Sequence, residues 1–142
     1  ARYLVLDGES RALRLHRDAA RELRLTQADI RAFQLAKGAV RAGVDCLLGR
    51  AGVAAEQVGA VLLTGSFGLS LAPETLKKVA MLPENMVDRV RFVPAGALLG
   101  TVRYLLEPGA ATRLESLVQR LKPYPLSGTP AFETAFLHAL DF

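Results

Sequence analysis

The amino-terminal pattern of apolar and polar residues is typical of β-strands. Apolar residues fill 3–6 and alternate with polar residues over 12–15, and the dipeptide Asp7-Gly8 lies between these two segments. Because Asp-Gly favours the tight turn that joins antiparallel strands, we predict a β-hairpin here. The charged segment that follows, 17–24, fits either a short helix or a loop.

A long amphipathic helix is predicted over about 27–48. Thr26 is a suitable N-cap, and Asp29 is placed to bond back to it in a capping box. Lys37 falls on the apolar stripe of this helix, at a position where the spacing requires a hydrophobic residue. The stripe consists of Ile30, Phe33, Val40, Val44 and Leu47.

The rest of the chain alternates predicted strands with predicted helices. The segment 58–63 is apolar at nearly every position, as expected of a strand that is covered on both faces. This order favours a single α/β domain over residues 1–142, with a mostly parallel sheet and helices packed against it. The other predicted elements are a helix over about 73–80, a strand over 89–93, helices over about 96–106 and up to 121, and a last helix that Thr129 caps.

Composition and charge exclude several classes of protein. At 142 residues, with 51% hydrophobic and 23% charged residues, the chain is long and apolar enough to bury a core. No apolar run approaches the roughly 20 residues of a membrane-spanning helix, so we expect no membrane partner. The net charge of +4 comes from arginines spread along the chain without interleaved aromatic residues, which favours a solvated surface and no nucleic-acid partner.

The side chains that most often carry chemistry are sparse and scattered. The single cysteine, Cys46, cannot form an internal disulfide, which suits a reducing, cytoplasmic compartment. His16 and His138 have no partners at metal-ligand spacing, so we predict neither catalytic residues nor metal ligands in this chain. The sequence opens on strand-like residues without an initiator Met, so we expect a domain excised from a larger intracellular protein.

The turn Gly65-Ser66-Phe67-Gly68 is the best candidate for a binding site. It follows a buried strand, and ligands of open α/β sheets bind beyond the carboxyl ends of strands. Glycine lacks a β-carbon, so the backbone can approach a flat ring or a phosphate closely. The alternative is a tight turn that needs glycine only for its backbone conformation. The motif is not a P-loop, because no Gly-Lys-Ser or Gly-Lys-Thr follows it.

Lys37 is the second candidate. Its ammonium either extends along the apolar surface to reach water or points into a ligand cleft, where it can donate hydrogen bonds to ribose or phosphate. Gln34 lies one helical turn before it and Arg41 one turn after, so the three side chains can share one edge of the helix.

Several stretches, in order along almost the whole chain, resemble one family, the reductive activators of corrinoid proteins. Residues 25–31, with 34–37 and 41–43, look like a signature helix in the carboxy-terminal part of that family. Residues 63–68 resemble its Gly-Gly-Phe-Gly turn. The helix entered through 94–100 and the closing segment 130–142 are similar to its next two segments.

This resemblance implies a fold and a function. The fold is α/β, half of an actin-like, ribonuclease H-like (ASKHA) ATPase core with a mixed sheet and packed helices. The parent protein carries a ferredoxin-type [2Fe–2S] cluster outside this chain and couples hydrolysis of ATP, with Mg²⁺, to reduction of a cobalt(II) corrinoid protein. Gly65, Ser66, Phe67 and Gly68 then form the adenosine-binding turn, and Gln34 and Lys37 contact the ribose.

The same resemblance implies that this chain does not complete a reaction alone. Phosphoryl transfer needs a metal and donors around the γ-phosphate, and one wall of a cleft does not supply them. The implied partners are therefore the rest of the parent chain and the corrinoid protein, and a homo-oligomer stays open.

Two departures from the family pattern keep alternatives open. Ser66 replaces the second glycine of the turn, and Pro94-Ala95 stands where the family usually has Gly-Asn. Both changes favour a non-catalytic interaction domain that has lost nucleotide binding. Another branch of the actin-like superfamily, such as a sugar or acyl-group kinase, is the third alternative.

Overall fold

The amino-terminal segment forms an antiparallel sheet. The computed structural model describes residues 3–8, 10–66 and 71–141. Strands β1 (Leu4–Asp7) and β2 (Ser10–Arg17) form the predicted hairpin, with Leu4 opposite Leu13. A third strand, β3 (Glu22–Thr26), pairs antiparallel with β2. This antiparallel sheet is separate from the parallel strand pair described below, whereas the sequence favoured a mostly parallel sheet.

Strand β3 corrects the prediction of a helix or a loop over 17–24. The carboxylate of Asp18 accepts hydrogen bonds from the backbone N–H groups of Ala20 and Arg21, which closes the turn before the strand. On the strand itself, Arg24 forms an ion pair with Glu22 at 2.8 Å. The charged residues that suggested a solvated helix or loop therefore line an exposed strand face instead.

Helix α1 (Gln27–Ala51) begins at the predicted capping box. The Thr26 hydroxyl accepts the N–H of Asp29 at 3.1 Å, and the Asp29 carboxylate accepts the N–H of Thr26 at 2.8 Å. The Thr26 hydroxyl also donates to the Asp29 carboxylate at 2.7 Å, and this bond, with that from the Thr26 N–H, holds the pKa of Asp29 below its ordinary value. The helix ends at Gly52, whose φ of 63° is the left-handed conformation typical of a glycine C-cap.

The buried face of α1 coincides only in part with the predicted apolar stripe. Phe33, Val40 and Leu47 are 37%, 47% and 51% exposed. The buried residues are Lys37, Gly38, Ala42 and Gly43, and this side of α1 packs against α6 (Pro130–His138). A Cβ atom added at Gly38 would lie 3.2 Å from Cδ2 of Leu140, so the small residues of α1 allow a close approach that the hydrophobic pattern does not reveal.

The second part of the fold has a parallel strand pair above a small apolar core. Strands β4 (Val61–Thr64) and β5 (Val90–Val93) pair in parallel. The core beneath them comes from the segment that holds α2 (Pro73–Lys78) and the unpredicted short helix α3 (Glu84–Val87). Its members include Leu76, Leu82 and Val87, packed against Val44, Val61, Leu63 and Val90.

Only one face of β4 is covered by the described residues. Leu62 is 64% exposed although the sequence predicted a strand covered on both faces.

Apolar surface is also exposed on helices α4 (Gly96–Leu106) and α5 (Ala110–Arg120). The bounds of α4 are those predicted from the sequence. The exposed large side chains of the two helices include Leu98, Leu105, Leu106, Val118 and Leu121, each more than half accessible.

The total accessible surface of the chain is larger than expected for a folded monomer of its mass. The chain exposes 10813 Å², whereas a folded monomer of 15.3 kDa exposes about 7,000 Å². The excess is several times the roughly 800 Å² that one partner buries in a protein–protein interface of ordinary size. Exposed apolar surface of this kind is typical of a unit that packs against further protein.

Candidate functional site

The parallel pairing of β4 with β5 brings two loops to one edge. Thr64 and Val93 are paired at the carboxyl ends of the two strands. Gly65 and Ser66 follow β4, and Pro94 and Ala95 follow β5, so both loops leave the same edge. In α/β folds this is the edge at which ligands bind.

Gly65 has the glycine-favoured conformation expected of the tight-turn alternative, and the space beside it is open within the described part of the chain. Its φ is +97°, which side-chain-bearing residues rarely adopt, and a Cβ atom built on it would meet no atom of the described residues within 4 Å. The neighbouring Ser66 is exposed. Phe67 and Gly68, the other two predicted residues of this turn, lie outside the described residues. The described half of the turn therefore offers exposed backbone.

A hydrogen bond joins the two loops at this edge. The hydroxyl of Thr64 accepts the backbone N–H of Gly96 at 2.9 Å. Ala95 precedes Gly96 as the N-cap residue of α4, and its φ of 49° lies in the left-handed region. Sequence reasoning did not single out Thr64, because a threonine at the end of a strand is common and its partner lies in another loop.

Lys37 is buried and does not extend to water. Its residue is 0% exposed, and Nζ donates to the backbone carbonyl of Asp141 beyond α6. Burial lowers the pKa of Lys37, and Arg41 adds to this effect, while the Asp141 carboxylate opposes it. The interpretation that its ammonium reaches water along the helix surface was wrong. A role in ribose binding stays a prediction.

The other two side chains of the predicted helix edge differ from Lys37. Gln34 is half-buried near the amino-terminal end of α1. Arg41 donates to the Asp45 carboxylate at 2.9 Å and to the Leu82 carbonyl at 3.3 Å. Arg41 therefore ties α1 to the loop before α3.

Helix α1 and the edge of β4 are related by packing. Val44 of α1 packs against the cluster of Leu76, Met81, Leu82 and Val87, and Val61 and Leu63 of β4 pack against the same cluster.

Two further cavities lie outside this edge. A polar cavity of about 330 Å³ is lined by Arg41, Asp45, His138 and Asp141, among others. A larger groove of about 600 Å³ runs between α4 and α5, with Ala97, Gly100, Leu114 and Leu117 in its walls. The sequence indicates an apolar helix face in this region, because Leu114, Leu117, Val118 and Leu121 follow helical spacing.

Within the described residues there is neither a candidate metal-binding cluster nor a helix that could span a membrane. Within residues 3–8, 10–66 and 71–141, no three His, Cys, Asp or Glu side chains lie close enough to hold a metal ion. In the same ranges, no helix has the length and apolar character needed to cross a bilayer.

Comparison with known proteins decides the family. The sequence model for the C-terminal domain of RACo, the ASKHA domain, matches residues 4–142. The chain belongs to this family. A curated relative, the corrinoid activation enzyme RamQ of Eubacterium limosum, is 26% identical over 117 residues, which are 82% of this chain and 20% of RamQ.

A solved structure agrees with this assignment at the level of the fold. The chain superposes on a reductive activator for corrinoid, iron-sulfur protein with a TM-score of 0.82, at 23% identity, over 98% of this chain and 23% of the other. The resemblance and the actin-like α/β fold are therefore confirmed. The chain spans about a fifth of the length of the relatives it matches.

The strained conformation of Ala95 generates a prediction about stability. Changing Ala95 to Gly removes the Cβ atom from a left-handed residue, so the free energy of unfolding should rise by up to about 1 kcal/mol. Urea denaturation measures this difference. The matched control is Ala97→Gly inside α4, which should lower the same quantity by about 1 kcal/mol. A decrease for both variants would contradict strain at Ala95.

The burial of Lys37 generates a prediction about pH. Because its pKa is lowered in the folded state, the unfolded chain holds more protons between that pKa and the ordinary value of about 10.4. The free energy of unfolding should therefore rise with pH in this window, and the rise should be smaller in Lys37→Met. Urea denaturation between neutral and alkaline pH measures the slope, with the exposed Lys122→Met as control. Equal slopes in all three proteins would show that Lys37 is not responsible.

Proposed function

We propose that this chain forms one wall of an adenine-nucleotide cleft in a longer, cytoplasmic activator of a corrinoid protein. The observation that carries the proposal is the family match over residues 4–142, together with the left-handed Gly65 at the shared edge of β4 and β5. The relatives are named as a corrinoid activation enzyme and as a reductive activator for a corrinoid, iron-sulfur protein. The proposed activity of the longer protein is the reduction of a cobalt(II) corrinoid, coupled to hydrolysis of ATP.

The turn 65–68 is proposed to receive adenosine. The conformation of Gly65 exposes backbone, and the space beside it is open among the described residues, which fits the close approach of a flat ring. Gln34, half-buried on α1, is proposed to contact the ribose, as the family resemblance implies. Lys37 is buried, so it contacts the ribose only if its ammonium becomes accessible to a ligand.

The proposed contribution of this chain is binding and orientation of the nucleotide. Bound ATP with Mg²⁺ supplies the phosphoryl group whose transfer drives the parent protein. The residues proposed here contact the nucleoside, whereas phosphoryl transfer needs donors around the γ-phosphate. These donors, the magnesium ligands and the [2Fe–2S] cluster are placed elsewhere in the parent chain under this proposal.

The large accessible surface supports the proposal that an extensive protein partner covers this chain. A second copy would cover an ordinary interface of about 800 Å² on each partner, which is a fraction of the excess. The exposed apolar residues also lie on several elements, among them β1, β4, α4 and α5. We propose that the rest of a parent chain covers most of this surface, as expected for a unit that spans about a fifth of its relatives.

A non-catalytic interaction domain is the second candidate. Ser66 adds a side chain at the place where the family has glycine, and Ala95 occupies a left-handed conformation that the Asn of the family tolerates better. Both observations favour a cleft that has lost its nucleotide. A sugar or acyl-group kinase loses support because the chain belongs to the activator family.

Nucleotide binding separates these two candidates. In the full-length protein, titration calorimetry with ADP should show binding, and Ser66→Gly should bind ADP roughly tenfold more tightly because crowding beside the ring is removed. Ser127→Gly, in an exposed turn before Gly128, is the matched control and should match the original protein. The absence of heat in both the original protein and Ser66→Gly would support the interaction domain.

Corrinoid reduction tests the activator assignment. With ATP, a low-potential reductant and a cobalt(II) corrinoid protein, the full-length protein should produce cobalt(I), which its absorbance spectrum reports. Gly65→Val should slow this reaction at least tenfold, because a β-branched residue strains at a φ of +97° by roughly 1–3 kcal/mol.

The control for this assay is Gly100→Ala. Gly100 lies inside α4, and a Cβ atom there meets no atom of the described residues within 4 Å, so the rate should be unchanged. Full activity of Gly65→Val would remove the turn from the proposed site. An original protein that forms no cobalt(I) would refute the activator assignment itself.

A further inference from the structure

Thr64 occupies the point where the two loops of the proposed cleft meet. It is the last residue of β4 and immediately precedes Gly65, and its hydroxyl accepts the N–H of Gly96 at 2.9 Å. The residues Thr64 and Gly96 are 32 positions apart in the sequence. This hydrogen bond therefore fixes the distance between the turn after β4 and the start of α4.

The hydrogen bond also replaces a missing helix cap. The first backbone N–H groups of a helix have no partner within the helix, and a side chain at the N-cap usually accepts one of them. Ala95 is the N-cap residue of α4 and has no oxygen in its side chain. Thr64 supplies the acceptor from the neighbouring strand, so the amino end of α4 is capped across the sheet edge.

Gly96 allows this arrangement because it has no side chain. A Cβ atom added at Gly96 would lie 2.5 Å from Oγ1 and 3.2 Å from Cβ of Thr64. Distances under 3.0 Å are essentially absent between real Cβ atoms and their neighbours, so an alanine would displace the Thr64 hydroxyl from this position. The spacing at this edge thus depends on a hydroxyl on one side and a glycine on the other.

We infer that Thr64 is a positioning residue for the nucleotide turn. Its hydroxyl, held against Gly96, sets the separation between the Gly65–Ser66 backbone and the amino end of α4, and with it the width of the slot that receives the adenine ring. This inference rests on the proposed function. It assigns Thr64 no contact with the reacting atoms.

The test compares hydroxyl and non-hydroxyl variants in the full-length protein. Thr64→Val keeps the side-chain shape and removes the acceptor, so the affinity for ADP should fall roughly five- to tenfold in titration calorimetry. Thr64→Ser restores the hydroxyl and should bind within about twofold of the original protein. Gly96→Ala should lose affinity as Thr64→Val does, because it displaces the same hydroxyl without removing it.

The matched control is Thr101→Val on α4. The Thr101 hydroxyl donates to the Ala97 carbonyl within the same helix, so its removal loses one hydrogen bond without affecting the two loops. ADP affinity should be unchanged in this variant. Hydrogen exchange at the Gly96 amide gives a second measurement, and it should be faster in Thr64→Val and unchanged in Thr101→Val.

The outcomes separate this inference from the proposed function. If the original protein binds ADP and Thr64→Val binds it equally well, Thr64 does not position the turn, whereas the nucleotide cleft stands. Equal losses for Thr64→Val and Thr64→Ser would also overturn the inference, because the hydroxyl would not be the cause. If the original protein binds no ADP, the cleft fails and the inference fails with it, while faster exchange at Gly96 would report only the cap.

Discussion

The carboxyl edge of the β4–β5 pair depends on parallel strand pairing over four residues on each strand. This pairing sends two loops out of the fold side by side, and the core of Leu76, Leu82 and Val87 supports it from below. Above the pair, the hydrogen bond from Gly96 to Thr64 is a direct contact between the loops. The geometry of the proposed cleft wall therefore depends on the short hydrogen-bond ladder between β4 and β5 and on the Thr64 hydroxyl, and not on a broad packed interface.

Local signals in the sequence predicted much of the fold. The hairpin around Asp7-Gly8, the capping box at Thr26 and the bounds of α4 follow from turn, cap and period patterns that act over a few residues. The errors have different causes. Strand β3 pairs with the adjacent β2, and its residues 22–24 were assigned to a charged helix or loop instead. The buried face of α1 depends on α6, which lies about a hundred residues later, and a partner at that distance leaves no mark in the local period.

The candidate site was predictable in part for the same reason. Gly65 was identified because its chemistry is local: a glycine after an apolar strand needs a conformation or a contact that other residues do not allow. The environment of Lys37 was not predictable, because its acceptor, the carbonyl of Asp141, lies 104 positions away. The partnership of Thr64 with Gly96 likewise needs the register of β4 against β5, which the sequence does not specify.

The apolar surface of α4 and α5 has a consequence for how substitutions in this region should be interpreted. In the chain alone, Leu105, Leu106 and Leu121 are surface positions, and an exchange for lysine there would improve solubility without an energetic cost. Once further protein covers these helices, the same positions become interior ones, and the same exchange would bury a charge. Variants selected on the isolated segment for good behaviour would therefore tend to be the ones that no longer assemble.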